Sequence, residues 1–275
     1  MRILNYIFIF LLFSSVSCSD NNGNNEEGAI TEPTPISDDG LMTQVQRESF
    51  KYFWDYAHPN CKLARERYIV DNPSFDQNIV TTGGSGFGLM TILVGIERGF
   101  VQRTEAVTRL TTALNFLENA DRFHGAWPHW MNGNTGDVIP FGTMDNGGDL
   151  VETSYLIAGL ITARQYFNGN TPTEETLRTE INNICNAVEW NWYRKDNGNV
   201  LYWHWSPNFN WDMNLPIKGW NECLITYVMG SSSPTHPIPT AAYHDAWASN
   251  GNITNPVDGT YWITDEQSAV QDPST

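Results

Sequence analysis

An all-α fold, built as a double ring of helices, is what this 275-residue sequence predicts. Three observations carry that expectation. Apolar residues recur near a 3.6-residue period through most of the chain. The helical segments alternate between apolar on nearly every side and amphipathic, as an inner ring enclosed by an outer one requires. Strand signals are confined to one short run, NVLYWHW at 199–205, after a KDNG turn, where a hairpin arm is expected.

The elements follow in order. Residues 41–57 are amphipathic, with Phe50, Phe53 and Trp54 on a related face. Residues 81–90, TTGGSGFGLM, lack both the Walker lysine and GxGxxG spacing and predict a tight loop exposing N–H groups. That loop would lead into a buried helix over 86–100. Residues 104–120 are amphipathic, with Thr104 as the expected cap, and 149–167 are again apolar on most sides. Residues 173–193 are amphipathic with an acidic first turn, which suits the helix dipole. A short apolar helix should cover 219–230 and end at Gly230, and one more short turn is expected near 241–248. These elements make about three helical hairpins. The polar tail adds no final apolar helix, so the ring is expected to be incomplete. A tetratricopeptide solenoid would need a 34-residue self-similarity that the sequence lacks.

Residues 1–17 read as an export signal: Arg2, an apolar run from Ile3 to Phe13, then small residues. Ser15-Val16-Ser17-Cys18 resembles a lipobox, which makes Cys18 the expected lipidated residue and the lipid the only expected link to a membrane. Ser19 and Asp20, with the acids that follow, resemble the surface-export signal of Bacteroidetes-type lipoproteins. Residues 18–40 are too polar to bury themselves and should form a flexible tether to a domain spanning 41–275. The expected location is the cell envelope.

The net charge of -16 becomes one unit more negative when Arg2 is removed. Such a balance excludes nucleic acid and anionic polymers as natural partners and favours a neutral ligand. Cys61, Cys185 and Cys223 are too few for a disulfide framework and are expected as buried thiols.

Chemistry concentrates in TMDNGGDLVETSYLIAGLITAR, residues 143–164. Asp149 and Glu152 have the spacing of a capping box. Asp145, in a loop with Gly147 and Gly148, has no such role. Three crowded carboxylates ahead of a buried helix raise at least one pKa, as an acid catalyst needs. Capping and catalysis are compatible. A calcium loop of EF-hand type fails because its twelfth position is Leu156, and there is no HExxH or CxxC for zinc; no cofactor or metal is expected. Many of the eleven tryptophans fall in polar loops, such as GAWPHWMNG at 125–133 and LYWHWSPNFNWD at 201–212. Flat apolar faces beside hydrogen-bonding groups suit pyranose rings.

FWDYAHPNCKLARER, TTGGSGFGLMTILVGIERGF, GAWPHWMNG, DNGGDLVETSYLIAGLITAR and GWNECLITYVMG together resemble the glucoamylase-like bacterial proteins, which include the endo-β-1,2-glucanases of glycoside hydrolase family 144. The resemblance implies an (α/α)6 toroid and inverting hydrolysis of a neutral β-glucan. It puts the family's acids at Asp145, Asp149, Glu152 and Glu222. Trp127, His129, Trp130, Trp205 and Trp220, with Arg65 and Arg67, are the residues expected at the sugar. Acids at i and i+3 project the same way, so Glu222 is expected to work opposite one of the other three. The expected partner is an oligo- or polysaccharide, and the expected state is a monomer. The competing functions are a non-catalytic glycan-binding lipoprotein and a polysaccharide lyase. The acidic charge disfavours the lyase, whose substrates are uronates.

Overall fold

A computed structural model describes residues 36–251. The export signal, Cys18, the tether to residue 35 and the tail beyond 251 lie outside the described residues. Within them the fold is all-α. The helices are α1 (Asp38–Trp54), α2 (Thr82–Glu97), α3 (Arg103–Asn119), α4 (Leu150–Tyr166), α5 (Pro172–Asn186) and α6 (Leu224–Ser232). A last turn, α7 (Thr240–Ala242), continues into a π-helical stretch at Tyr243–Trp247, close to the expected short helix.

α4 lies between α2 and α6, while α3 packs beside α5 on the outside. The inner helices are the apolar ones. α2 buries Leu89, Ile92 and Leu93, and α4 buries Leu150, Val151, Leu156, Ile157 and Leu160. Each buried Leu or Ile contributes about 1.5–3 kcal/mol from removal of apolar surface from water. α3 and α5 turn Leu110, Leu114, Leu117, Leu177 and Ile181 inward and keep a wet face.

Several boundaries differ from the sequence expectation. α1 starts at Asp38, inside the expected tether, because the Ser37 hydroxyl accepts the Gly40 N–H at 3.1 Å and two aspartates favour the first turn. α3 is entered at Gln102, not Thr104: the Glu105 carboxylate reaches back to the Gln102 N–H at 3.0 Å. α5 stops at Asn186, and Trp192–Arg194 form a separate turn. α6 runs past Gly230 to Ser232.

The largest correction concerns the glycine-rich run. From Thr82 on it forms the first turns of α2 and not a loop. A methyl group on Gly86 would lie 2.2 Å from the Tyr155 carbonyl oxygen, and one on Gly159 would lie 2.3 Å from the Gly86 carbonyl oxygen. These glycines let α2 and α4 touch backbone to backbone.

Short strands tie the loops at one end of the helices. β1 (Ile79–Thr81), β2 (Trp130–Asn132) and β3 (Val138–Ile139) form an antiparallel sheet in that order, with Val80 opposite Met131 and Trp130 opposite Ile139. β4 (Gly148–Asp149) pairs with β5 (His204–Trp205), with Asp149 opposite His204. The 199–205 run is shared: residues 201–203 form a hairpin arm with 215–217, Tyr202 bridging Pro216, while His204–Trp205 joins the acidic loop. Cys61 and Cys223 are buried thiols and Cys185 is half-buried; burial pushes Cys61 up to about 11 and Cys185 up to about 12.

The α2–α4 contact yields a stability prediction. Gly86→Ala should cost about 3 kcal/mol, because backbone rather than a flexible side chain stands in the way. Gly40→Ala, in the exposed start of α1, should change stability by under about 0.5 kcal/mol. Urea unfolding of the two variants measures both.

Candidate active site

The acidic stretch folds as its residues dictate. Gly147 and Gly148 let the loop press against its neighbours: a methyl on Gly147 would lie 2.1 Å from the Trp205 carbonyl oxygen, and one on Gly148 2.1 Å from the Tyr193 hydroxyl. Asp149 caps α4, its carboxylate accepting the Glu152 N–H at 2.9 Å. The reciprocal half of a capping box does not form. The Asp149 N–H donates to the Trp127 carbonyl at 2.9 Å, and the Glu152 carboxylate turns to α2, accepting the Gly83 N–H at 2.8 Å. Glu152 is thus released from capping and held in the site.

Asp149 is the hub. Its Oδ2 lies 3.0 Å from His129 Nδ1 and accepts the Trp203 indole N–H at 3.2 Å. Asp145 Oδ1 lies 3.1 Å from Nε2 of the buried His204, and the Gly147 N–H points at the same nitrogen from 3.2 Å. That nitrogen serves one neighbour as acceptor or the other as donor, according to its tautomer.

Charge follows from this packing. Burial acts to lower His129, but the hydrogen bond and charge of Asp149, with Glu152 and Asp145 nearby, raise it to about 9. At neutral pH it is a cation paired with Asp149. Glu152 is pushed up to about 7, first by burial and then by the Asp149 charge, against the pull of His129 and the Gly83 N–H. It holds a proton near neutrality, as an acid catalyst must.

These groups line a cavity of 410 Å³. Asp145, Asp149, Glu152 and Glu222 all face it, together with His129, and Phe141, Trp203, Met213 and Leu215 supply apolar wall. Glu222 stands in the turn ahead of α6, exposed to solvent. Phe141, Trp203, Met213 and Leu215 carry no site signal in the sequence beyond the aromatic run at 201–212, which points towards Trp203.

The other residues expected at the sugar divide. Trp130 stands edge-on to Phe141, with ring centroids 4.8 Å apart, and so backs the cavity wall. Trp127 is a correction: it is fully buried, its indole N–H donating to the Leu117 carbonyl and the Arg122 guanidinium lying over its ring. Trp205, Trp220, Arg65 and Arg67 do not line the cavity. Trp205 packs against His124 and Trp192, Trp220 against Trp247, Arg65 donates to the Pro73 carbonyl, and Arg67 pairs with Glu66.

Among the described residues, His129, Asp145 and Asp149 offer ligand atoms within 4.8 Å of one another. With His129 protonated and bonded to Asp149, this trio is an ion pair beside a carboxylate, a poor donor set for a cation at neutral pH.

The Glycoamylase family model matches residues 214–267. An exo β-1,2-glucooligosaccharide sophorohydrolase (non-reducing end) of Parabacteroides distasonis is 43% identical over 238 residues, which is 86% of this chain and 32% of that protein. An endo-β-1,2-glucanase of Chitinophaga pinensis, solved with sophorotriose and glucose, superposes with a TM-score of 0.79 at 52% identity, covering 82% of this chain and 55% of that one. The chain is thus similar to glucoamylase-like proteins and to hydrolases of β-1,2-glucan and its oligosaccharides. A β-1,2-glucanase of Parabacteroides distasonis superposes at a TM-score of 0.74 and 46% identity, covering 78% of this chain and 30% of that one. The chain therefore spans about a third to a half of the length of the relatives it matches.

The raised Glu152 gives a pH signature. A carboxyl whose folded pKa lies above its unfolded value makes the fold lose stability as pH rises between the two, here from about 4.5 to about 7. Glu152→Gln removes that loss. The variant should be more stable than wild type at pH 8 by about 3 kcal/mol, with the gain gone at pH 4. Denaturant titrations at the two pH values check the sign.

Proposed function

We propose that this chain carries the acid-lined part of an inverting β-glucan hydrolase acting on β-1,2-glucan. Its described helices would be three hairpins of an (α/α)6 toroid. The observation that carries the reading is the junction of α2 and α4, where a carboxyl with a pKa of about 7 shares a 410 Å³ cavity with three further acids. The β-1,2 linkage rests on the names of the relatives, hydrolases of β-1,2-glucan or its oligosaccharides.

In this mechanism Glu152 donates its proton to the glycosidic oxygen as the bond to the anomeric carbon breaks. Glu222, from the turn ahead of α6, removes a proton from the water that attacks the opposite face. Inversion needs these two carboxyl groups roughly 6.5–9.5 Å apart, leaving room for that water. Asp149, bonded to His129 and Trp203, stays in place as a fixed negative charge beside the developing oxocarbenium ion. Trp203 and Phe141 offer flat faces to the sugar rings.

We also propose that Cys18 is lipidated and that the mature protein is a monomer anchored to the cell envelope. The mass of the mature N-terminal peptide tests the lipid: cleavage ahead of Cys18 with an acylated cysteine is expected, and an unmodified Cys18 would overturn it.

Reducing-sugar release from linear β-1,2-glucan tests the hydrolytic reading. Glu222→Gln should lower the rate on glucan by about 10²–10⁴-fold. Glu152→Gln should do the same on glucan, yet lose far less on an aryl β-sophoroside, whose leaving group needs no proton. Equal loss on both substrates would remove Glu152 from the acid role. No release by the folded wild-type chain would overturn hydrolysis by this chain.

A further inference from the structure

A second aromatic surface stands outside the cleft. Its centre is Trp192, 42% exposed although tryptophan carries the largest apolar surface of any side chain. One face of its indole stacks on the His124 ring at 3.8 Å and 16°. Trp205 meets it edge-on at 6.3 Å, and Trp211 stands at 6.4 Å and 32°. His124 is itself held by Glu189, its Nδ1 lying 3.1 Å from the carboxylate. The indole is therefore fixed from behind, and its exposed area faces solvent.

The ground beside it is polar. Trp192 and Trp211 line a depression of 390 Å³ together with Asn191, Asp196, Asn197 and His236. None of these lines the cleft cavity. The loop that supplies Asp196 and Asn197 is preset. Lys195, Asp196 and Asn197 all have positive φ, at 38°, 58° and 59°, which L-residues adopt at a cost. The Arg194 guanidinium holds the turn by donating to the Asn197 and Gly198 carbonyls at 2.8 and 2.7 Å. Lys195 Nζ ties it to Asn214 Oδ1 at 3.1 Å.

We infer that this depression is a second carbohydrate site, which takes a stretch of neutral glucan chain with a pyranose ring on Trp192. Three features select that ligand class. A rigid, half-exposed indole offers a flat partner for the C–H face of a sugar. Two amides and two carboxylates at its edge match hydroxyl groups that both donate and accept. The carboxylates of Asp196 and Glu189, on a chain of net charge -16, repel uronates and phosphates. Because the loop is already ordered, binding loses little conformational entropy. The function of the site is to hold polymer near the cleft.

The choice of glucan rests on the proposed function, but the binding readout does not depend on hydrolysis. The chain is labelled with fluorotryptophan, and Trp192→Phe assigns the Trp192 fluorine resonance. It is titrated with linear β-1,2-, β-1,3-, β-1,4- and α-1,4-gluco-oligosaccharides. The Trp192 signal should shift saturably with at least one of them, and should do so equally in Phe141→Ala, which alters the cleft away from the 199–212 segment. Trp192→Ala should weaken retention on the corresponding glucan in affinity electrophoresis by about fivefold, the size of one aromatic contact. A Trp192 signal unmoved by every oligosaccharide, or one that moves only while Phe141 is present, would overturn the second site. Failure of the hydrolytic reading shows separately, as absent product beside an intact Trp192 response.

Discussion

The site depends on one contact, the backbone-to-backbone crossing of α2 and α4 at Gly86 and Gly159. With a side chain at either position the helices would stand further apart, and the consequence would reach the chemistry. Gly83, one turn earlier in α2, would no longer place its N–H 2.8 Å from Glu152. A carboxylate in the first turn of a helix normally serves the N–H groups of its own helix or faces water. Here it is drawn into the seam between two buried helices. The same close packing that builds the inner row therefore makes the environment that keeps Glu152 protonated near neutrality.

Burying several acids together is costly unless each finds donors. The loops supply them unequally. Asp149 receives the Glu152 N–H, the Trp203 indole N–H and the His129 cation. Asp145 has the buried His204 beside it. Glu152 has one backbone N–H, and the charge acting on it most strongly is that of another carboxylate, Asp149. That inequality sets Glu152 apart from the other acids as the one pushed up to about 7.

β5 serves two surfaces. His204 and the preceding Trp203 hold Asp145 and Asp149 in the cleft, while Trp205 turns away to support His124 and Trp192. Two residues of strand, paired with Gly148 and Asp149, thus link the acid cluster to the outer aromatic surface. A rearrangement of the 199–212 segment would disturb both.

The sequence by itself determined the helices and the acids. Period and composition suffice for an all-α reading because an inner helix must be apolar on most sides, and α2, α4 and α6 are. The 143–164 stretch was legible because several acids next to a buried helix are costly unless used, whereas Glu222 followed only from the family resemblance of its GWNE stretch. What the tertiary structure decided is whatever depends on a distant partner. The glycines of 83–88 read as a loop because local propensity says so, yet their role is set by Tyr155 and Gly159 across the seam. Trp127 and Trp203 look alike in sequence; one is sealed against Leu117 and Arg122, the other opens on the cleft beside Asp149. Capping and proton storage both fit Asp149 and Glu152 by spacing. Only the position of Gly83, some seventy residues earlier, gave the cap to one and the proton to the other.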